Sequence, residues 1–198
     1  MLQNLLGVGK FSSIMRAKAR VQVMKFTLLT HFKEFEKRSN TGRVVLDVLG
    51  SDAEQLRWDR MNPPVSLLEE IEAGGAVLVY PGNSVGNGDL AGITRFILID
   101  GTWHEARKIY QRSPYLMKVR RVGLTPTTAS RYNLRKNQKE ACLCTAECVI
   151  EILRGIGEDA SADRLEESFL LFISQSGAKN VPPHTCSATV SASLDGMR

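Results

Sequence analysis

The chain has 198 residues, 43% of them hydrophobic, enough to bury one substantial core as a single domain. No apolar run approaches the length needed to cross a bilayer, which sets the membrane-spanning class aside. The formal charge is +5, and its distribution is more informative than its sum.

Before Glu34 there are six basic residues (Lys10, Arg16, Lys18, Arg20, Lys25, Lys33) and no acid. A transit peptide and a basic arm both fit that composition. The arm is preferred, because Met24 to Leu29 already reads as domain strand. Residues 1–20 show no clean period and are read as a flexible basic segment, with the domain over 21–175. Val21 to Leu29 is the first expected strand, with Val21, Val23 and Phe26 among apolar neighbours. After a charged connection from His31 to Arg38, Ser39-Asn40-Thr41 offers caps for a helix. Its apolar face is Val44, Val45, Leu46, Val48 and Leu49, and it ends at Gly50.

Asn62-Pro63-Pro64 breaks the chain, and a short helix follows through Leu67, Leu68 and Ile71, closed by Gly74-Gly75. Ala76-Val77-Leu78-Val79-Tyr80 reads as a buried strand ending in Pro81-Gly82. The glycine-containing loop Asn83 to Asp89 allows close backbone approach to a ligand. It is not a phosphate-binding P-loop, since the Lys-Ser/Thr ending is missing.

The stretch from Phe96 to Arg107 organises the rest. Phe96-Ile97-Leu98-Ile99 reads as a strand buried on both faces, and Asp100-Gly101 ends it. Thr102 can cap the next helix, with Glu105 completing a capping box. A carboxylate at the C-terminal end of a buried strand, beside a helix N-terminus, is where open α/β sheets place ligands. Asp100 as an ordinary turn residue fits the local pattern equally well.

From His104 to Glu140 ten Lys or Arg face only Glu105 and Glu140, so this segment carries +8. Glu151 to Glu167 then holds six acids against Arg154 and Arg164. A positive central segment suits a polyanion, RNA above all, although charge runs are commonly just solvated faces. Lys118 to Leu124 reads as another strand, and Thr125 to Ser130 as a polar turn. Arg131-Tyr132 and Leu134-Arg135-Lys136 interleave basic, aromatic and apolar residues, either as an RNA-contacting loop or as a solvated loop anchored by one Tyr. Cys142, Cys144 and Cys148 lack a second ligand pair and lie in an apolar helical stretch (141–153). They are read as reduced thiols rather than a metal site. Cysteine is a poor cap, so Thr145 is expected to take the N-cap and move the boundary by one residue. A further helix is expected from Ala162 to about Phe172, with a disordered tail over 176–198. Strands alternating with helices give an α/β class with a mainly parallel sheet flanked by helices.

Asp100-Gly101-Thr102-Trp103 resembles the Asp-x-Thr-Trp signature of the DTW-domain family. The likeness continues through Glu105-Ala106-Arg107-Lys108-Ile109-Tyr110, Ser113-Pro114-Tyr115-Leu116, Ser130-Arg131-Tyr132-Asn133-Leu134-Arg135 and Leu143-Cys144-Thr145-Ala146-Glu147-Cys148. Leu29-Thr30-His31, Ser39-Asn40-Thr41-Gly42-Arg43 and Val79-Tyr80-Pro81-Gly82 are similar to its earlier blocks, so the likeness covers roughly residues 22–175. The details look most like the bacterial branch. Two departures are visible: residues 1–21 lack the cysteine-rich segment that relatives often carry, and Cys144 stands where relatives often have Ser.

The resemblance implies a SPOUT-like fold with a C-terminal knot, and a cytoplasmic tRNA-uridine aminocarboxypropyltransferase using S-adenosylmethionine as co-substrate and no metal. It places that co-substrate among Tyr80, Pro81, Gly82, Gly101, Thr102, Trp103, Leu143, Cys144 and Thr145. Asp100 goes to the reaction, as general base or as the group orienting the uridine. Arg131, Arg135 and Lys136 go to tRNA. The rivals are an S-adenosylmethionine-dependent RNA methyltransferase and a non-catalytic RNA-binding module.

Overall fold

The computed structural model describes residues 24–84, 93–124, 130–132 and 143–176. Along them run β1 (Lys25–Thr30), α1 (Gly42–Leu49), β2 (Ala53–Arg57), α2 (Val65–Glu72), β3 (Ala76–Ser84) and β4 (Arg95–Asp100). Then come α3 (Trp103–Arg112), α4 (Pro114–Met117), β5 (Arg120–Gly123), α5 (Thr145–Gly155) and α6 (Asp159–Gln175). The strands form one sheet in the order β2-β1-β4-β3-β5, and every pairing is parallel. The knot implied by the resemblance turns on the path of residues 125–129 and 133–142, which lie outside the described residues.

Alternation along the central strands sorts the core into two layers. Phe26, Leu28, Val77, Phe96 and Leu98 point to the face covered by α1, α5 and α6, where they meet Val45, Val149, Ile152, Leu165 and Phe169. Leu29, Leu78 and Ile97 point the other way, against Leu67 of α2, Ile109 of α3 and Leu116 of α4. Strands covered on both faces read as continuous apolar runs, which is why β1, β3 and β4 stand out in the sequence.

The first strand begins at Lys25 rather than Val21; residues 21–23 are not described. β3 runs past Tyr80 to Ser84, and its register against β5 shifts between Val79 and Ser84, so Pro81 and Gly82 lie in an irregular strand end rather than beyond the strand. β2 was not foreseen. Ala53-Glu54-Gln55-Leu56-Arg57 is a half-buried edge strand with three polar residues, and it carries no apolar signature. The last helix is longer than expected, Asp159 to Gln175, because exposed residues precede the buried Ala162 and the buried stripe continues past Phe172 to Ile173.

Candidate functional site at the carboxyl edge of the sheet

The connections leaving β1 and β4 diverge. From β1 the chain crosses to β2 through α1 on one face, and from β4 it crosses to β5 through α3 and α4 on the other. Adjacent parallel strands whose connections leave to opposite faces open a crevice at their carboxyl ends, the usual ligand position in open α/β sheets. Thr30 and Asp100, the register partners that end β1 and β4, stand there.

Asp100 is 2% exposed, yet the described residues place no cation against it. Its carboxylate receives the Asn40 side-chain N–H at 2.9 Å and the Thr145 hydroxyl at 2.8 Å. The Thr30 hydroxyl lies 3.1 Å from Oδ2 and 3.1 Å from the Leu28 carbonyl, and its single proton serves one of them at a time. Asn40, 0% exposed, is fully used: its amide nitrogen also donates to the Glu34 carbonyl at 2.9 Å, and its oxygen accepts the Gly42 N–H at 2.7 Å. Gly42 has no room for a side chain, since a Cβ there sits 2.9 Å from Asn40 Oδ1 and 3.2 Å from Asp100 Oδ2. Asp100 thus ties β1, the turn before α1 and the start of α5 into one unit.

The expected capping box at α3 is present. Glu105 accepts from the Thr102 amide at 2.8 Å and hydroxyl at 2.7 Å, while the Glu105 amide donates to Thr102 Oγ1 at 3.3 Å. The other Glu105 oxygen lies 3.3 Å from His31 Nδ1. That nitrogen also lies 3.4 Å from the Lys33 amide; the two contacts need opposite protonation of Nδ1, and the shorter one, to a carboxylate, orients the ring. Burial pushes the Glu105 carboxyl up, but Thr102, His31 and the neighbouring Glu34 outweigh it and hold it below the usual glutamate value. Glu34 itself is fully buried and paired with Lys37.

At α5 the cap position belongs to Cys144, not to Thr145 as expected. Cys144 and Glu147 form a reciprocal capping box, the Cys144 sulfur accepting the Glu147 amide and Glu147 accepting the Cys144 amide at 2.8 Å, which leaves the Thr145 hydroxyl for Asp100. Burial, then the Glu147 carboxylate, push the Cys144 thiol well above its ordinary value. Thr41 takes the N-cap position of α1 but makes no side-chain cap there; its hydroxyl accepts the Ala146 amide at 3.4 Å. The Thr102 and Cys144 amides are therefore both occupied by glutamates, and neither is a free anion donor.

On the α3 side, Tyr80 stacks on Trp103 with centroids 5.6 Å apart and on Tyr110 at 4.5 Å. Trp103 remains 46% exposed, and the Arg121 guanidinium lies 5.9 Å above Tyr110. Burial, then Tyr110, raise the Tyr80 phenol above its ordinary value, against Arg107 and Arg121.

The structure thus joins Tyr80 to Trp103 directly, and Asp100 to Thr145, with Gly101 and Thr102 linking the two sets along the chain. Pro81 is exposed at the end of β3, where Gly82 also lies. Leu143 borders a small crevice with Arg131, Glu147 and Phe169. Arg131 donates its amide to Glu147 at 2.6 Å and ion-pairs with Glu166 at 2.7 Å, and Arg154 binds the same glutamate. Its charge is thus matched inside the protein. Tyr132 is the buried anchor of that strap, its hydroxyl donating to the Ser39 carbonyl at 2.6 Å. Arg135, Lys136 and Cys142 lie outside the described residues. The resemblance implies that the Ser39-Asn40-Thr41 block helps build the active site, and Asn40 does meet Asp100, whereas Thr30 and Gly42 were not singled out as site residues. The available signal was the block of small polar residues Ser39-Asn40-Thr41-Gly42 at the start of α1.

Fold and site together define a parallel α/β domain with a polar, switch-point crevice built around one buried carboxylate. The chain belongs to the DTW domain family, whose model matches residues 12–176. It is similar to tRNA-uridine aminocarboxypropyltransferase 2 of Drosophila melanogaster, 41% identical over 63 residues, 32% of this chain and 25% of that protein. The Mus musculus protein of the same name is 29% identical over 90 residues, 42% of this chain and 30% of its own length. The matched parts thus span about a quarter to a third of these curated relatives. Among solved structures, the SAM-dependent rRNA:acp-transferase Tsr3 from Vulcanisaeta distributa superposes with a TM-score of 0.53 at 18% identity, covering 78% of this chain and 79% of that one, a likeness of fold.

Proposed function

We propose that this chain transfers the 3-amino-3-carboxypropyl group of S-adenosylmethionine to a uridine in tRNA. The observation that carries the reading is Asp100, a buried carboxylate with neutral donors and no cation among the described residues, next to an exposed Trp103. Such a site is electrically complementary to a sulfonium and offers an aromatic face to it. The names of the curated relatives support the reaction class, and the fold neighbour's supports use of the same donor. S-adenosylmethionine, when bound, supplies a γ-carbon activated by its sulfonium, so that methylthioadenosine leaves as the uridine ring nitrogen bonds to that carbon and loses its proton.

The protein's own residues contribute position and field. Asp100 fixes the start of α5 against the ends of β1 and β4, and its charge favours the cationic donor. With three side-chain donors around it, it acts first as the organising group and faces the uridine proton only through an exchange of partners or one water. Tyr80 holds Trp103 in place by stacking. Arg107, Lys108 and Arg121, all exposed, give tRNA a basic surface on the α3 side of the site, to which Arg131, Arg135 and Lys136 are assigned as well.

Purified protein incubated with S-adenosylmethionine and unmodified tRNA tests the reading. Methylthioadenosine release with a matching mass gain on uridine supports it. S-adenosylhomocysteine indicates the methyltransferase instead, and tRNA binding without saturable S-adenosylmethionine binding indicates a non-catalytic module.

A further inference from the structure

An open groove of about 610 Å³ lies beside this site, lined by Phe32, Arg57, Trp58, Asp59 and Arg60. It sits at the same carboxyl edge of the sheet as Asp100 but on the β2 side, away from Tyr80 and Trp103. Two backbone bonds carry the connection: the Trp58 amide donates to the Thr30 carbonyl at 2.9 Å, and the His31 amide to the Asp100 carbonyl at 3.0 Å. Two strand spacings separate β2 from β4, about 10 Å.

The lining is unusual for a solvated loop. Phe32 is 51% exposed, tilts against His31 with centroids 4.6 Å apart, and carries Lys33 Nζ 5.8 Å above its ring. His31 in turn stacks on Trp58 at 6.2 Å, and the Trp58 indole is fixed by donating to Ser113 Oγ at 2.9 Å. The one acid, Asp59, is spent on its own loop, accepting from the Met61 amide at 2.8 Å and the Asn62 amide at 3.3 Å. Asp59 keeps its charge and acts electrostatically on Arg57, but Arg57, Arg60 and Lys33 form no close ion pair with another described residue, and three cations against one acid leave the groove positive and aromatic together. Open shape, free cations and an exposed ring on a rigid stack describe a platform for an unpaired nucleotide: the ring meets the base and the arginines meet the flanking phosphates. An acidic peptide satisfies the arginines but leaves the aromatic stack without a function.

We propose that the Phe32–Trp58–Arg57–Arg60 groove binds an unpaired nucleotide of the RNA substrate next to the modified uridine. This rests on the tRNA reading above and adds to it the path by which the RNA reaches the site.

The test uses the full chain with tRNA and with a single-stranded oligouridine as separate probes, alongside calorimetric S-adenosylmethionine binding and steady-state transfer. Phe32→Ala is expected to weaken both RNA probes on the order of tenfold without changing the salt slope. In the double variant Arg57→Ala, Arg60→Ala, RNA binding weakens and the slope of log affinity against log salt falls by about 2. The three substituted side chains are exposed, and S-adenosylmethionine affinity is expected to stay at wild-type level, which separates a binding role from misfolding. KM for tRNA should rise with kcat little changed. Wild-type RNA affinity and KM in both variants overturn the groove, whatever the activity. If the wild-type protein transfers nothing while the variants still lose RNA binding, the groove stands and the enzymatic reading fails. Variants that lose affinity for an acidic peptide but not for either RNA also overturn it.

Discussion

Arg95 and Asp100 begin and end β4, and each is 2% exposed, but their surroundings differ in kind. Arg95 is closed in by Glu54 and Glu70 and by the Thr27 hydroxyl, which itself donates to Glu54 at 2.9 Å. The buried cation there faces two carboxylates, and these are only partly buried, at 36% and 39% side-chain exposure, so the excess negative charge reaches water. Asp100 is held by a carboxamide and two hydroxyls, which satisfy its oxygens, with no counterion among the described residues. A buried charge without a counterion costs folding free energy, and a protein retains one where a ligand balances it. The amino edge of the sheet is thus an ion-paired structural lock, and the carboxyl edge carries the buried carboxylate on which the proposed function rests.

Removing each charge in turn is the sharpest break of that comparison. Asp100→Asn keeps shape and most hydrogen bonds, so the fold should persist. Turnover should fall by about 10²-fold or more, the scale of a group positioned in the reaction, and the methylthioadenosine assay reads it directly. Near-wild-type transfer by a folded Asp100→Asn protein makes Asp100 a structural residue only. Arg95→Met should do the opposite, lowering stability by about 2–3 kcal/mol, below the usual figure for breaking a buried pair because the glutamates left behind reach water. Transfer per folded molecule should then be nearly unchanged in a urea-unfolding and activity pair.

Asn40→Asp attacks the neutral donors themselves. It replaces the amide nitrogen 2.9 Å from Asp100 Oδ2 with a second carboxylate oxygen. Two such carboxylates cannot both ionise without mutual repulsion, so the pair's folded-state pKa rises above its unfolded value. The penalty, about 2 kcal/mol at neutral pH for one buried unmatched partner, should therefore shrink as pH falls and the pair takes up a proton. A gap in urea midpoint between wild type and variant that widens toward acid would falsify the neutral-donor account.

The two edges also differ in how legible they were. β4, the Asp100-Gly101 turn and the Thr102–Glu105 box were readable because each is a local pattern: a run of apolar residues, a break, a cap with its acid three residues on. The ion-paired lock was not, since Arg95 meets Glu54 and Glu70 only after three elements converge, and β2 was missed because an edge strand lacks an apolar signature. At the site, Asp100 stood out while Thr30, Asn40 and Thr145 as its donors did not. Their contacts span sequence separations of 70, 60 and 45 residues, set by the sheet order and not by spacing. Cys144 shows the same limit. Its poor capping chemistry argued for moving the helix start, but Glu147 rescued the position by accepting its amide, and the displaced hydroxyl found Asp100 instead.

Glu105 sits between these cases, an acid placed by a local motif that also reaches across to another strand's loop through His31. Its carboxyl is held below the ordinary glutamate value, so its folded pKa lies under the unfolded one. A depressed carboxyl contributes its full stabilisation above the unfolded value and loses it as pH falls through the folded one. Glu105→Gln keeps one oxygen for the Thr102 amide and removes the charge that His31 and the helix dipole favour. The expected loss is about 1 kcal/mol at neutral pH, the scale of a helix cap. Below the usual glutamate range the two proteins should converge, because the wild type has then protonated the same group. A urea series from neutral pH to about pH 3 reads this, bearing in mind that other carboxyls titrate there in both proteins and cancel in the difference. A gap that persists undiminished at the acid end would mean that Glu105 acts through shape alone, and the carboxyl edge would then owe its order to Asp100 and Asn40.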